Sequence, residues 1–364
     1  MAGRFASQPS RPTRTTVRGG HVAVPGGVPR QAAAPGRTRT WVPGTPLDLG
    51  LVLGPLRRGP GDPTFRATPD GSVWRTCRTP AGPGTLRVSL RDGVVRGEAW
   101  GPGAEWLLEQ LPELLGAADD PEAFAPRHRI VALARHQRPG LRLTRTGLVM
   151  ESLIPSVLEQ KVTTHEAYRA WRLLVRKFGE PAPGPGPGGA GSGGSGPGGS
   201  GPGGSGPGGS GSGAGGGLFV VPAARDWALI PSWEWHRAGV DNKRASTILR
   251  AVRVAGRLEE AVAMDPERAR ARLEVVVGVG PWTSAEVVQR SHGAADAVTV
   301  GDLHLPGIVG FALAGDRDAD DEVMLSLLEP YAGQRHRAAR LILLSGCTPG
   351  RRGPRMRKGD IGGL

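Results

Sequence analysis

Residues 181–217 contain only Gly, Pro, Ser and Ala, mostly as a Gly-Gly-Ser-Gly-Pro repeat. A stretch of that composition has no side chain with which to bury a core. As a flexible coil, its 37 residues span roughly 35 Å root-mean-square. Whatever folds must therefore assemble from the two flanks. One arrangement is an independent domain on each side, and the other is a single domain with an expanded surface loop. Loop-closure entropy grows only slowly with length. The helical patterns before the segment are too few to stand alone and those after it need partners, so the loop is expected.

The flanks total enough of the 364 residues for two or three domains. The net charge of +13 is concentrated at the ends. Residues 1–40 hold seven Arg and no acid, and residues 347–364 hold Arg351, Arg352, Arg355, Arg357 and Lys358 against Asp360. Both are expected to be disordered basic tails. Such tails favour a polyanion, most simply nucleic acid, through phosphate neutralisation and counterion release. Solvated disorder is the competing reading, as is codon bias, given 42 Arg against 4 Lys. Cys77 and Cys347 are too few and too far apart for a disulfide framework or a metal-site spacing. An iron–sulfur cluster, which needs four thiolates, is not expected. No run of about 18 apolar residues marks a membrane span, and the N-terminus has no apolar core of a secretion signal. A cytoplasmic, reduced protein is expected.

From Trp41 the pattern becomes that of a folded chain. Ser72–Arg78, Thr85–Arg91 and Val94–Trp100 alternate or cluster β-formers, and Asp92-Gly93 is a two-residue hairpin signal. Glu105–Gly116 then sets Trp106, Leu107, Leu108, Leu111, Leu114 and Leu115 at helical spacing. Residues 41–125 are expected to form a small antiparallel sheet with a helix packed on it. From Pro126 the chain turns helical. Leu148–Val162 is an apolar helix, irregular at Pro155. Thr163 and Glu166 have capping-box spacing for a helix that runs to Phe178, with Gly179 as its C-cap. Beyond the Gly/Pro/Ser segment, Trp227–Arg237, Asn242–Ala255, Pro266–Val276, Pro281–Gln289, Glu322–Leu328 and Gln334–Leu344 read as helical, and Asp265 is placed to cap the third. The fold class is α+β: the sheet and its helix, then an all-α part over residues 126–346 interrupted by residues 181–217.

Between two of those helices lies Val277-Gly278-Val279-Gly280-Pro281-Trp282-Thr283. Glycine permits positive φ and removes the Cβ that would block close approach. Pro281 suits the first helical position, and the free amides there form an anion site. Val279 is expected to plug into the core and hold the turn. Many helical hairpins use glycine for structure alone, so this motif does not decide by itself. About twenty residues downstream, Gly301-Asp302-Leu303-His304-Leu305 supplies one carboxylate, suited to a helix N-cap or to chemistry.

Together these residues resemble the helix-hairpin-helix DNA glycosylase superfamily, and within it the bacterial 3-methyladenine DNA glycosylase II type. The resemblance spans about residues 45–350 apart from the low-complexity segment. It is most specific over Val275–Leu305: the Gly278-Val279-Gly280 hairpin, Pro281-Trp282-Thr283-Ser284, a helix to Gln289, the strand-like Ala297-Val298-Thr299-Val300, and Asp302. Leu153–Val162 resembles the family's helix ending in a Gln-containing turn that faces DNA.

The resemblance implies that Asp302 is the catalytic carboxylate and that Gly278, Val279, Gly280, Thr283, Gln160 and Lys161 contact DNA. Trp282 stands where strand-cutting members place a lysine, which implies a monofunctional enzyme that leaves an abasic site. Trp282 is also implied to line the base pocket, with Glu286 at a position the subgroup often fills with an aromatic. A cationic alkylated purine is the implied base, held by cation–π contact. Lys161 or Gln160 is the implied wedge into the gap left by the flipped base. Trp233 and Trp235 are candidate pocket residues or, alternatively, core. Arg335, His336 and Arg337 read as a basic stretch or a solvated face. The implied partner is double-stranded DNA containing damaged bases. The protein is expected to be a bacterial, nucleoid-associated monomer with no catalytic metal or cofactor, although an alkali ion could sit at the hairpin carbonyls. Two alternatives stand beside this reading: a DNA-binding protein that has lost base excision, and a glycosylase for oxidised or deaminated bases.

Overall fold

The computed structural model describes residues 36–188 and 217–350. All of these fall in one compact unit, Ala33–Leu364; the other, Met1–Ala32, lies outside the described residues, as does most of each basic tail. The chain begins with strand β1 (Arg37–Trp41), the short helix α1 (Leu49–Leu53), and strands β2 (Phe65–Ala67), β3 (Val73–Thr79), β4 (Gly82–Arg91) and β5 (Val94–Trp100). They make one antiparallel sheet in the order β1-β5-β4-β3-β2. The β4–β5 turn is the expected one, with Asp92 at φ 50° and Gly93 at φ 75°. Both central residues are left-handed, as the hairpin twist requires.

Two expectations for this region are corrected. Residues 37–40 belong to a paired strand and not to a disordered tail. The single helix expected over 105–116 is two, α2 (Ala104–Glu109) and α3 (Leu111–Leu114). One residue explains both. Pro112 has no N–H to offer the Leu108 carbonyl four residues back, and Arg39 of β1 donates to that carbonyl instead, at 2.8 Å. Arg37 pairs with Glu105 alongside. Leu107, Leu111 and Leu114 then pack on Leu86, Val88 and Val95 as one buried cluster.

The helical part follows: α4 (Arg129–His136), α5 (Val149–Leu158) and α6 (Thr164–Phe178). Helix α5 is buried on every side from Ser152 to Leu158. Its ends are satisfied from afar. Glu259 accepts from the amides of Val149 and Met150 at 2.8 and 2.9 Å, and Arg244 donates to the Leu158 carbonyl at 2.8 Å. The helix stops at Leu158, short of the expected Val162, and Lys161 turns the chain at φ 54°. The Thr163–Glu166 capping box forms as expected.

Strands β6 (Glu180–Pro181) and β7 (Phe219–Val220) pair with each other, and the amide of Ala182 donates to Leu218 at 3.0 Å. The low-complexity segment therefore leaves and re-enters at one point, as an insertion in a single body; residues 189–216 lie outside the description. Beyond it come α7 (Ala224–Ala228), α8 (Ser232–Arg237), α9 (Asn242–Arg253), α10 (Ala255–Glu259), α11 (Pro266–Glu274), α12 (Pro281–Ser291), α13 (Leu305–Ala314), α14 (Asp321–Leu328) and α15 (Arg335–Ser345). Helices α5, α6, α9, α11 and α12 share one buried core, while α4, α13, α14 and α15 share another. Ala297–Val300 forms no strand and ends in a turn in which the Val300 amide donates to the Val298 carbonyl at 3.2 Å. Half-buried or buried ion pairs Arg75–Glu151, Arg58–Glu159 and Arg337–Asp119 lock residues 36–120 to the helices. No helix among the described residues is long and apolar enough to cross a membrane.

Candidate active site

The hairpin between α11 and α12 is built around Gly278. Its φ of 101° is closed to other residues, and a Cβ there would lie 2.1 Å from the Thr247 hydroxyl of α9. Val279 is buried, as expected, and its amide closes the turn on the Val276 carbonyl at 2.8 Å. Gly280 is different. Its φ and ψ of −112° and −174° suit any residue, and a Cβ there would meet nothing within 4 Å. Internal packing thus gives no reason for glycine at 280. Pro281 opens α12 with no N–H, and the amides of Trp282 and Thr283 donate to no acceptor among the described residues. They lie at the positive end of the helix dipole.

Gln160, expected at the DNA, is committed to the hairpin. Its amide nitrogen donates to the Gly278 carbonyl at 3.0 Å and to the Thr283 hydroxyl at 2.8 Å. Thr283 is accordingly buried, with its hydroxyl held by Gln160. Lys161, next in sequence, is exposed at the tip of the same turn. Two of the hairpin carbonyls at which an alkali ion is expected already accept a hydrogen bond. Val277 accepts from the Arg250 guanidinium at 3.2 Å and Gly278 from Gln160 at 3.0 Å. Among the described residues no cluster of three or more His, Cys, Asp or Glu is placed to hold a metal.

Asp302 accepts with both carboxylate oxygens, from two different elements. Oδ1 accepts from the amides of His304 and Leu305 at 2.8 and 2.9 Å, capping α13. Oδ2 accepts from the Trp282 indole N–H at 2.9 Å. Gly301, at φ 84°, turns the chain into this position, and its amide is tied to Asp321 at 2.9 Å. The carboxylate is thus fixed from three donors and half exposed. Trp282 is therefore first a hydrogen-bond donor to the acid, a role that its spacing of twenty residues did not reveal.

Trp282, Glu286 and Arg290 follow at four-residue steps and form the half-buried stripe of α12. Glu286 is not a free carboxylate for a cationic base, because Arg290 pairs with it at 2.7 Å with both side chains largely buried. Arg290 also donates to the Pro55 carbonyl at 3.1 Å. Across from it, Arg340 of α15 donates to the Leu51 carbonyl. One short segment of chain thus holds both guanidiniums side by side. His336 lies one turn before Arg340, and burial, with the charges of Arg340, Arg290 and Arg337, pushes its imidazole down to about 3. Burial likewise lowers Arg340 to about 10, with Arg290 and Arg337 contributing. Tyr168 of α6 is raised by burial and by the neighbouring Glu159.

These groups were not singled out as a set from sequence. The basic stretch Arg335-His336-Arg337 is not a solvated face: Arg335 is paired with Asp296 and Arg337 with Asp119, both at hydrogen-bond contact. Trp235 is core, stacked on Trp227 at 5.8 Å, and Trp233 is exposed on the surface. Cys77 is buried and free, with its thiol pushed up by burial to about 12, so it is an inert core residue.

No family model matches the chain, and no curated protein does. Solved structures match its fold. A 3-methyladenine DNA-glycosylase from Archaeoglobus fulgidus superposes with a TM-score of 0.63 at 13% identity, over 85% of this chain and 98% of that one. MBOgg1 bound to a low-affinity DNA ligand gives 0.62 at 14% identity, over 85% and 95%. The 8-oxoguanine glycosylase/lyase of Clostridium acetobutylicum, without ligand, gives 0.61 at 11% identity, over 86% and 99%. The chain thus has the α+β fold shared by these DNA glycosylase structures, sheet and helices together.

Proposed function

We propose that the protein is a monofunctional DNA N-glycosylase that flips a damaged base from the duplex and hydrolyses its glycosidic bond. The observation that carries this reading is the Asp302 carboxylate, held by Trp282 and by the start of α13, next to a hairpin whose Trp282 and Thr283 amides are uncommitted. The amides of Trp282 and Thr283 would take a backbone phosphate, and the missing side chain at Gly280 lets that phosphate come close. Lys161 enters the gap left by the flipped base, since Gln160 is held elsewhere.

As the C1′–N bond breaks, its electron pair leaves with the base and positive charge builds on the sugar. Asp302 stabilises that charge and takes a proton from the attacking water. The alkylated lesions implied by the sequence resemblance, and the oxidised or deaminated ones, share this step. Trp282 in place of a lysine favours hydrolysis without strand cleavage. No cofactor is needed, and the protein would work as a monomer on chromosomal DNA in the bacterial cytoplasm.

The test is direct. Duplexes carrying single alkylated, deaminated or oxidised bases are incubated with the protein and with Asp302→Asn, and free base and abasic sites are measured. The proposal predicts base release and alkali-labile sites from the wild type only. Release of nothing across the panel leaves a non-catalytic DNA-binding protein. A covalent adduct trapped by borohydride overturns the monofunctional reading.

A further inference from the structure

A groove lies between the C-terminal turns of α6 and the short helix α8. It encloses about 290 Å³ and is lined by Leu173, Phe178 and Ala238, with Arg176, Lys177, Arg237 and Glu234 as its charged members. Ligand pockets commonly hold roughly 300–1,000 Å³, so this one suits an anchoring side chain better than a whole small molecule. Apolar surface continues past its edge. Leu173 is 43% exposed, and Trp233, one turn before Arg237 on α8, is 65% exposed. The charges around the groove do not cancel. Glu234 pairs with Lys177 at 2.6 Å and with Arg237 at 3.2 Å. Arg176 is exposed and forms no ion pair among the described residues. Three cations thus share one carboxylate, and the groove keeps a net positive charge beside its apolar surface.

We propose that this groove docks an acidic segment of another protein, with an apolar side chain seated against Leu173 and Phe178 and carboxylates facing Arg176, Lys177 and Arg237. Exposed apolar surface with a polar rim marks a protein contact. Trp and Arg carry much of the binding energy at such contacts, and charge complementarity selects the partner. The chain itself does not supply the occupant. Residues 1–35 and 189–216 contain no acid, and residues 351–364 contain only Asp360 among five basic residues. A second copy, at a net charge of +13, would bring charge of the same sign. A DNA phosphate would be drawn to the cations but would gain nothing from Leu173 or Trp233. The groove also stands apart from the hairpin. Helix α6 begins at Thr164, just after the turn from which Gln160 braces the hairpin, and the groove lies at its other end. Its 15 residues make a rod of about 22 Å. A protein docked there leaves the hairpin and Asp302 open, so partner and DNA can be held together.

The experiment titrates the full-length protein into a fluorescein-labelled peptide, Asp-Asp-Leu-Asp-Asp-Phe-Asp-Asp, and follows fluorescence anisotropy at about 0.15 M salt. One control peptide has Ser in place of Leu and Phe, and the other has Lys in place of every Asp. We expect the acidic apolar peptide to bind about tenfold more tightly than either control. Leu173→Ser and Arg176→Glu change exposed side chains, and each should weaken that peptide about tenfold while leaving the thermal midpoint and the affinity for duplex DNA unchanged. Duplex DNA should not displace the bound peptide. No binding of the peptide, or equal binding of the serine control, overturns the proposal. Binding that both variants leave unchanged also overturns it, since the peptide then sits elsewhere on the chain. Displacement by duplex DNA, or a matching loss of DNA affinity in Arg176→Glu, overturns it in favour of a nucleic-acid surface.

Discussion

The indole N–H of Trp282 donates to one oxygen of Asp302 at 2.9 Å, while the other oxygen of the same carboxylate caps the helix that begins at Leu305. Residues twenty apart are thereby locked as one unit, and the orientation of the acid is set by the hairpin helix as much as by its own loop.

The two oxygens of Asp302 can be separated by substitution. Asparagine still caps a helix, and alanine does not. Asp302→Ala should destabilise the protein by about 1 kcal/mol and Asp302→Asn by much less, as read from denaturant midpoints. Both should reduce base release by roughly a hundredfold or more. If Asp302→Asn keeps wild-type release, the acid is only a cap.

Trp282→Phe keeps an aromatic ring and removes the N–H that reaches Asp302. A lost hydrogen bond to a charged group costs about 1.5–3 kcal/mol. That loss should appear in kcat, with KM for damaged duplex unchanged. A rise in KM at constant kcat would instead mark Trp282 as a surface on which the base stacks.

The two hairpin glycines should fail differently. Gly278→Ala forces a positive-φ alanine against Thr247 and should cost about 2 kcal/mol or more of stability. Gly280→Ala has open space and should unfold at the wild-type midpoint. Its affinity for duplex DNA should nonetheless fall by about tenfold, since one crowded phosphate contact is worth on the order of 1.4 kcal/mol. Unchanged affinity in Gly280→Ala would remove the hairpin from the DNA interface.

His336 predicts an acid limb in stability. Its folded-state value of about 3 lies below the ordinary 6.5. Between those values the unfolded chain binds one proton more than the folded chain. Stability should therefore fall as pH drops below 6.5, by up to about 1.4 kcal/mol per pH unit, and level off near 3. His336→Asn carries no titrating ring and should flatten this limb in a series of urea midpoints. Parallel curves for the two proteins would show that the ring is freely protonated.

Shortening the low-complexity segment should stabilise the protein slightly. The β6–β7 pairing and the Ala182–Leu218 bond hold its two ends together whatever its length. Cutting it to about a quarter removes roughly 1 kcal/mol of closure entropy. Thermal midpoint should rise a little and base release should not change. A loss of release would give the segment a part in the reaction.

Local signals carried most of the architecture. Asp92-Gly93 announced a hairpin because its residue types are the ones that tolerate left-handed φ, and Thr163 with Glu166 announced a helix start because the two groups satisfy each other over three residues. What was hidden depends on partners far away in the chain. Strand β1 is Arg-Thr-Arg-Thr, polar on both faces, and becomes a strand only because β5 pairs with it and Pro112 frees a carbonyl for Arg39. Helix α13 carries apolar residues all round, so no periodicity marks it. At the site, the hairpin and the acid were legible, but Gln160 turned out to brace the hairpin from 118 residues away. The Glu286–Arg290 pair has ordinary helical spacing, and only its burial distinguishes it from a solvated pair on a helix surface.

Catalytic groups often burden the fold that carries them, so that drift tends to erase them once activity is no longer selected. Asp302 is placed otherwise. By capping α13 it repays the fold directly, and a lineage that had abandoned base excision would still be penalised for losing it. Inheritance of this aspartate therefore reports on folding first, whereas Trp282, whose indole N–H is committed to that carboxylate alone, is the position where relaxed selection would be seen earliest.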